Sequence, residues 1–279
     1  MQRLWFITNP NSGSATKEKC DAIEEVFGEH ELALVGRTAF PDEDLPEPAA
    51  LDAAGADTVV LFAGDGTINA ALCALADWDG KFLILPGGTM NLLAKRLHAS
   101  VDPHEIIRAA HAGHVRTALP FIEAGAHRAF VGLIIGPAAQ WFRAREAARK
   151  RRLFALFRAT RHAWSRTFGK GVRVSGSVKL RRRYQAVFVH PDERGLDVAG
   201  IDARDWRAVA NLGWNSITGD WIDAHSVTHS LTEHLRIEGD RPVLALFDGE
   251  PERLDPGTRI TGGVSPERFI ETRGQGVAA

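Results

Sequence analysis

The residues best suited to chemistry sit in two glycine turns, each placed directly after an apolar run. The first run, Val59-Val60-Leu61-Phe62-Ala63, leads into Gly64-Asp65-Gly66-Thr67-Ile68-Asn69. The second, Phe82-Leu83-Ile84-Leu85, leads into Pro86-Gly87-Gly88-Thr89-Met90-Asn91. In each, a buried strand runs into small residues and then into a Thr and an Asn at the start of a helix-like stretch. Turns of this kind let backbone N–H groups approach a phosphate closely and aim a helix N-terminus at it. Two of them in consecutive strand–turn–helix units, one holding an acid, point to a site that handles polyphosphate together with Mg²⁺.

Those turns need a frame, and the pattern before residue 115 supplies one. Strand 4–8 leads to the loop Asn9-Pro10-Asn11-Ser12-Gly13-Ser14, and a helix is expected at 16–28 with Cys20, Ile23, Val26 and Phe27 on one face. A strand at 31–37, a loop with three prolines and four acids at 41–50 and a short helix at 49–55 follow. Then come a strand at 58–63, a helix at 68–76, a strand at 81–85 and helices at 91–97 and 103–112. Alternating strands and helices argue for a parallel sheet covered on both faces. Ligands of such sheets bind at the carboxyl ends of strands, where loops 9–14, 63–67 and 86–91 would all lie.

After residue 115 the pattern turns to strands. Thr117–Glu123 and Arg128–Ile135 flank Ala124-Gly125-Ala126-His127, which reads as a hairpin turn, and strand-like runs recur at 172–180, 184–189, 206–212, 235–237, 243–247 and 258–261. An antiparallel sandwich or barrel is expected. One segment breaks the series. Between Trp141 and Lys170 lie ten Lys or Arg and a single acid, Glu146, with Phe154, Phe157, Trp164 and Phe168 at helical spacing. A basic helix carrying bulky apolar residues suits the surface of an anionic membrane. It equally suits packing on the neighbouring strands with its arginines solvated.

Composition bounds the rest. With 279 residues, 44% of them hydrophobic and 25% charged, the chain has material for two ordinary domains. A formal net charge of −1 gives the whole molecule no nucleic-acid signature. Cys20 and Cys73 form no disulfide framework or metal motif, which favours a reducing compartment. The chain enters a strand at Leu4-Trp5-Phe6-Ile7 with no export segment before it, and no apolar run approaches the ~20 residues that span a bilayer. A cytoplasmic protein, peripheral on the membrane at most, is expected. His225, His229 and His234 have tempting spacing, but no Cys or carboxylate completes a zinc ligand set. Trp206, Trp214 and Trp221 read as core or rim of the strand-rich half.

Taken in order, Asn9-Pro10-Asn11-Ser12-Gly13, the Gly64–Asn69 turn, the Pro86–Asn91 turn and Phe247-Asp248-Gly249-Glu250 resemble the diacylglycerol kinase catalytic-domain family, which includes bacterial lipid kinases and the sphingosine and ceramide kinases. The resemblance implies a Rossmann-like, NAD kinase-like three-layer α/β domain at 1–115 that binds ATP, with 263–279 returning to it. It implies a C-terminal antiparallel β-sandwich at 116–262 that helps to hold lipid, with the basic helix inserted at 137–169. Asn9, Ser12 and Gly13 would line the nucleotide cleft. Gly64, Asp65, Gly66 and Thr67 would hold the phosphates, with Asp65 as the catalytic acid beside Mg²⁺, and Gly87, Gly88, Thr89 and Asn91 would complete that wall. Asp248 would be the base for the lipid hydroxyl and Glu250 its support. The implied partners are ATP, Mg²⁺, a lipid substrate, anionic membrane through 141–170 and no nucleic acid; a homodimer through sheet edges is compatible with the pattern.

Some positions depart from the family. Ala63-Gly64 stands for a glycine pair, Ala70 for a glutamate, and Leu92-Leu93-Ala94-Lys95 for an Asp-Phe-Ala-Arg run. The Asp-Gly-Leu-Leu-Asp stretch of a structural Mg²⁺ site survives only in part, as Asp192-Glu193-Arg194-Gly195-Leu196-Asp197. Two other readings stand beside the lipid kinase. One is a kinase of a soluble acceptor related to NAD kinases, against which the basic helix and Asp248-Gly249-Glu250 argue. The other is a nucleotide- or lipid-binding homologue that has lost catalysis, as Ala70 permits.

Overall fold

The computed structural model describes residues 1–12, 15–137, 171–177, 179–201 and 227–273. Gly13, the basic helix at 141–170, the strand at 206–212, His225, the three tryptophans 206, 214 and 221, and residues 274–279 lie outside the described residues.

The chain divides into two units, one of residues 1–119 with 264–279, the other of residues 120–263. The first opens with β1 (Arg3–Thr8), α1 (Lys17–Glu29), β2 (Ala33–Ala39), α2 (Pro48–Ala53) and β3 (Thr58–Ala63). It continues with α3 (Asp65–Ala74), β4 (Lys81–Pro86), α4 (Leu92–Leu97), α5 (Pro103–Ala112) and β5 (Val115–Thr117). Every residue of β3 is buried. Val60, Phe62, Leu83 and Leu85 share a core with Ile23 and Phe27 of α1 and Ile106 and Ile107 of α5, while the alternate residues Val59, Leu61, Phe82 and Ile84 are buried on the opposite face. Strands covered on both faces need apolar residues at every position, which is why they stand out in the sequence as continuous runs.

The second unit contains β6 (Pro120–Ala124), β7 (His127–Ala129), β8 (Leu133–Ile135), β9 (Arg173–Ser175), β10 (Ala186–Asp192) and β11 (Gly195–Ile201). After these come β12 (Val227–Thr232), β13 (His234–Glu238), β14 (Val243–Phe247), β15 (Glu250–Leu254) and β16 (Arg259–Val264). They form a six-stranded sheet, β12-β11-β10-β8-β14-β15, and a five-stranded sheet, β7-β6-β16-β13-β9. In the first sheet the pairings are antiparallel, as are β6 with β7 and β13 with β9 and β16 in the second, and Val189, Leu196 and Phe247 of the first share one core with Ile122, Leu235 and Ile260 of the second. The chain then returns as β17 (Phe269–Glu271) to the first unit, whose sheet order is β2-β1-β3-β4-β17-β5. There β1, β2, β3 and β4 run parallel, so the loops after β1, β3 and β4 leave from one edge of the sheet.

The strand expected over 117–123 is two strands that belong to different units. Thr117 pairs with Phe269 in the α/β sheet, whereas Ile122 pairs with Ala129 in the five-stranded sheet. The single run expected over 128–135 is likewise divided, between β7 and β8. Among the described residues no helix is long and apolar enough to cross a membrane.

Candidate functional site

Three loops meet at the carboxyl edge of the parallel sheet, and polar side chains stitch them together. Asn9, just past β1, donates from Nδ2 to Thr67 Oγ1 at 2.7 Å and accepts the Asn11 N–H at 2.8 Å through Oδ1. The Ser12 hydroxyl lies 2.7 Å from the Asn9 carbonyl and 3.1 Å from that of Gly87, two acceptors it can serve. Asn91 closes the second glycine turn on itself: its Oδ1 accepts the Gly88 N–H at 2.7 Å and its Nδ2 donates to the Gly88 carbonyl at 3.1 Å. Asn91 holds this pose at φ 52°, a left-handed conformation that asparagine tolerates better than most residues. The two glycine turns touch. A Cβ on Gly87 would lie 2.5 Å from the Ala63 nitrogen, and one on Gly88 2.5 Å from the Gly64 Cα, so neither position has room for a side chain.

Helix α3 begins three residues earlier than its apolar pattern suggests. Gly64 is its N-cap, and Asp65, Gly66 and Thr67 form its first turn, with the Ile68 N–H already bonded back to the Gly64 carbonyl. The amides of a first turn have no partner within their own helix and favour an anion. Thr67 is buried, Gly66 half-buried, and Thr89 exposed at the tip of the second turn.

Asp65 does something the sequence did not show. Its Oδ1 accepts the N–H of Leu92 at 2.9 Å and that of Leu93 at 3.4 Å, so it joins α3 to the start of α4. Burial pushes its carboxyl above the usual carboxylate range, against the lowering effect of those N–H groups and of Asn91's. No residue-type signal could reveal this contact, because every residue but proline carries the same N–H at 92 and 93. As a metal ligand Asp65 brings a single carboxylate, and among the described residues no group of three or more His, Cys, Asp or Glu converges as for a metal ion. That donor set fits Mg²⁺ bound mainly by nucleotide phosphates and water, the usual arrangement in phosphoryl-transfer sites.

In the second unit, Asp248 and Gly249 form the two-residue turn between β14 and β15, with φ 49° and 96°, and Phe247 pairs with Glu250 across it. Positive φ at both positions is the hairpin geometry that Asp-Gly favours. The Asp248 carboxylate accepts three backbone N–H groups: Phe130 at 2.8 Å on Oδ2, and Val131 and Gly132, each at 2.9 Å, on Oδ1. Its own N–H returns to the Gly132 carbonyl at 3.0 Å. The strap 130–132 between β7 and β8 is thereby bound to the turn. Glu250, first residue of β15, is exposed. His190 on β10 also meets this strap, with Nδ1 3.2 Å from the Val131 carbonyl.

At the hairpin between β10 and β11, Asp192 Oδ1 accepts the N–H and Nε of Arg194 at 2.9 and 3.1 Å, and Asp197 Oδ1 lies 3.9 Å from His229 Nδ1. Among the described residues no group of three or more His, Cys, Asp or Glu is placed there to hold a metal ion.

A family model for the diacylglycerol kinase catalytic domain matches residues 3–119. A protein of Streptococcus pneumoniae serotype 4, provisionally named a lipid kinase, is 32% identical over 108 residues, which are 37% of this chain and 36% of that protein. The match thus spans about a third of that relative's length. Among solved structures, one of a diacylglycerol kinase from Bacillus anthracis aligns over 98% of this chain and 97% of its own, with a TM-score of 0.63 and 15% identity. A second from the same organism, provisionally named a diacylglycerol kinase, covers 98% of both chains with a TM-score of 0.67 and 17% identity. At such identities the likeness is one of fold: an α/β domain followed by a strand-rich domain of antiparallel sheets. Loops 9–12, 64–67 and 87–91 all fall within the stretch of this chain that matches the diacylglycerol kinase catalytic-domain model.

Proposed function

We propose that this chain is an ATP-dependent lipid kinase that transfers the γ-phosphate to the hydroxyl of a diacylglycerol-like or sphingoid lipid. The observation that carries the reading is Gly64. Its backbone (φ −77°, ψ 161°) is open to any residue, and an added Cβ would meet Gly88 Cα at 3.7 Å and Ser12 Cβ at 3.9 Å, both ordinary contacts. Among the described residues no packing contact requires glycine there, at the N-cap of α3. A phosphate brought against the backbone does.

In this reading the first unit is the Rossmann-like, NAD kinase-like layer that takes ATP, and the second is a β-sandwich that serves the lipid. The first-turn amides of α3 bind phosphate oxygens, and Thr67 Oγ1, which accepts from Asn9, turns its own proton toward them. Asp65 orders the turn and offers its carboxylate to the metal shell. Mg²⁺, when bound, supplies charge neutralisation on the phosphates as the bond to the leaving ADP oxygen breaks.

The base falls on Glu250 rather than Asp248. Three N–H donors stabilise Asp248 as an anion and fix its direction, which suits a residue that builds the turn. Glu250 is the exposed acid that the turn presents. It takes the proton of the lipid hydroxyl while that oxygen bonds to the γ-phosphorus, and the products are phosphorylated lipid, ADP and a proton carried off by Glu250.

The test is transfer of labelled γ-phosphate from ATP·Mg²⁺ to extracted total lipids by wild type, Glu250→Gln and Asp248→Asn. Wild type is expected to label a lipid, and Glu250→Gln to lose about a hundredfold or more in rate. Asp248→Asn is expected to fall as well, since an amide replaces one acceptor oxygen with a donor. No labelled lipid from a folded, ATP-binding wild-type protein overturns the reading. Label on a water-soluble acceptor instead would place the chain with kinases of soluble substrates.

A further inference from the structure

We infer that His190 is a positioning residue for the Asp248–Glu250 turn, acting through the peptide that joins Val131 to Gly132. The inference rests on the catalytic role given above to that turn. A carbonyl can only accept, so the 3.2 Å contact between His190 Nδ1 and the Val131 oxygen puts the proton on Nδ1. That carbonyl belongs to the same peptide unit as the Gly132 N–H, which donates to Asp248 Oδ1 at 2.9 Å. The imidazole therefore pulls on one end of a peptide dipole whose other end is held by the carboxylate. Hydrogen bonds aligned through one peptide polarise and strengthen each other.

Register explains why a histidine on β10 can reach the strap. Val189 pairs with Leu133 on β8, so residue 190 lies beside the chain just before β8 begins, which is 130–132. The ring lies against the strap at Gly132, whose Cβ position is 3.5 Å from Nδ1 and Cε1. The strap is thus gripped from two sides, by Asp248 on its N–H groups and by His190 on the Val131 carbonyl. Asp248 in turn sits at the positive φ of the Asp-Gly hairpin turn, and two residues on the chain reaches Glu250. Loosening the strap releases the turn, and with it the direction of the Glu250 carboxylate.

A histidine that merely filled core space would be replaceable by an apolar residue of similar volume. A positioning histidine needs its donor. The experiment compares His190→Leu with His190→Asn, whose side-chain amide nitrogen can stand in for Nδ1. In lipid phosphorylation, His190→Leu is expected to lose about tenfold or more in kcat, with KM for ATP within about twofold of wild type. His190→Asn is expected to recover most of that loss. Independently of activity, hydrogen exchange at the amides of 130–132 is expected to quicken in the leucine variant and return to the wild-type rate in the asparagine variant. Exchange in the leucine variant that matches wild type, or that quickens equally throughout the second unit, overturns the inference. So does a leucine variant with undiminished kcat. A wild-type protein that phosphorylates no lipid defeats the lipid-kinase reading alone, because the exchange comparison still decides whether His190 holds the strap.

Discussion

An added Cβ on Gly88 would lie 2.5 Å from backbone, whereas among the described residues the nearest atom to one on Gly64 is the Gly88 Cα at 3.7 Å. The two glycines face each other across the junction of the turns, so the contrast separates packing from ligand binding at one spot. Gly88→Ala drives a methyl into the Gly64 backbone, which has no flexible end to yield, and is expected to destabilise by about 1–3 kcal/mol, the range for overpacking. Gly64→Ala is expected to leave unfolding within about 0.5 kcal/mol of wild type, as for substitutions that disturb no packing. It should nonetheless weaken ATP binding by about tenfold, or 1.4 kcal/mol, because the methyl stands where a phosphate oxygen approaches. Denaturant unfolding and equilibrium ATP binding on both variants check this. Unchanged ATP affinity in Gly64→Ala would remove the observation on which the phosphate site rests.

At the scale of elements, the joint to examine is the one made by β17, which His98 fastens. His98 is buried just after α4, with Nε2 3.0 Å from the Ile84 carbonyl on β4 and Nδ1 2.9 Å from Thr272 Oγ1, just past β17. The Ile84 carbonyl requires a proton on Nε2, and the Thr272 hydroxyl can then donate to a bare Nδ1, so the neutral ring satisfies both neighbours. Burial lowers its pKa from 6.5 to about 4. The unfolded chain therefore binds a proton more readily between those values. The stability due to a neutral His98 is full above pH 6.5 and is lost as pH falls toward 4, amounting to about 3 kcal/mol over the window. Unfolding free energy of wild type is expected to fall with a steeper pH slope between 6.5 and 4 than that of His98→Gln. Parallel curves would show that the joint does not depend on the charge state of His98. Neither β17 nor this joint could be read in detail from residue types. The long buried strands β3 and β4 were legible because apolar runs mark them, as were α1 and α5 by their period. Strand β15, Glu250-Pro251-Glu252-Arg253-Leu254, carries a proline and two glutamates that its place at a sheet edge allows, and it gave no strand signal. Strand β12, Val227-Thr228-His229-Ser230-Leu231-Thr232, is polar for the same reason. The 117–123 run looked single because alternation reports burial, not which sheet a residue pairs with. In the site, glycines, Asn9 and both acids were legible as residue types. Their partners were not, since Asp65 and Asp248 are held by main-chain N–H groups that leave no trace in sequence.

Across the whole molecule the charge is distributed in a way that decides how a membrane would be met. Of the 34 Lys and Arg, ten lie in 141–170, and of the 35 Asp and Glu only one does. That stretch therefore carries +9, and the rest of the chain, with 24 cations against 34 acids, carries −10. A uniform net charge of −1 would give an anionic bilayer nothing to attract, and the remainder alone would be repelled. If the acceptor is a lipid in such a bilayer, this stretch is the strongest concentration of positive charge to attract it, at close range and in salt-dependent form. Each basic residue near an anionic leaflet contributes about 1 kcal/mol, so four of them decide between bound and free. Binding to phosphatidylglycerol-rich vesicles is expected for wild type at low ionic strength. It should be lost in a variant with Arg149, Arg151, Arg152 and Arg158 changed to Gln, and weakened for wild type as salt approaches ~1 M, where the screening length falls to about 3 Å. Turnover of a short-chain acceptor dissolved in water should be the same for both proteins, since the substitutions leave the glycine turns and the Asp248–Glu250 hairpin untouched. Vesicle binding that survives the four substitutions would place the membrane contact elsewhere in the chain. Equal loss of turnover on dissolved and bilayer acceptors would mean that these arginines serve catalysis or folding rather than docking.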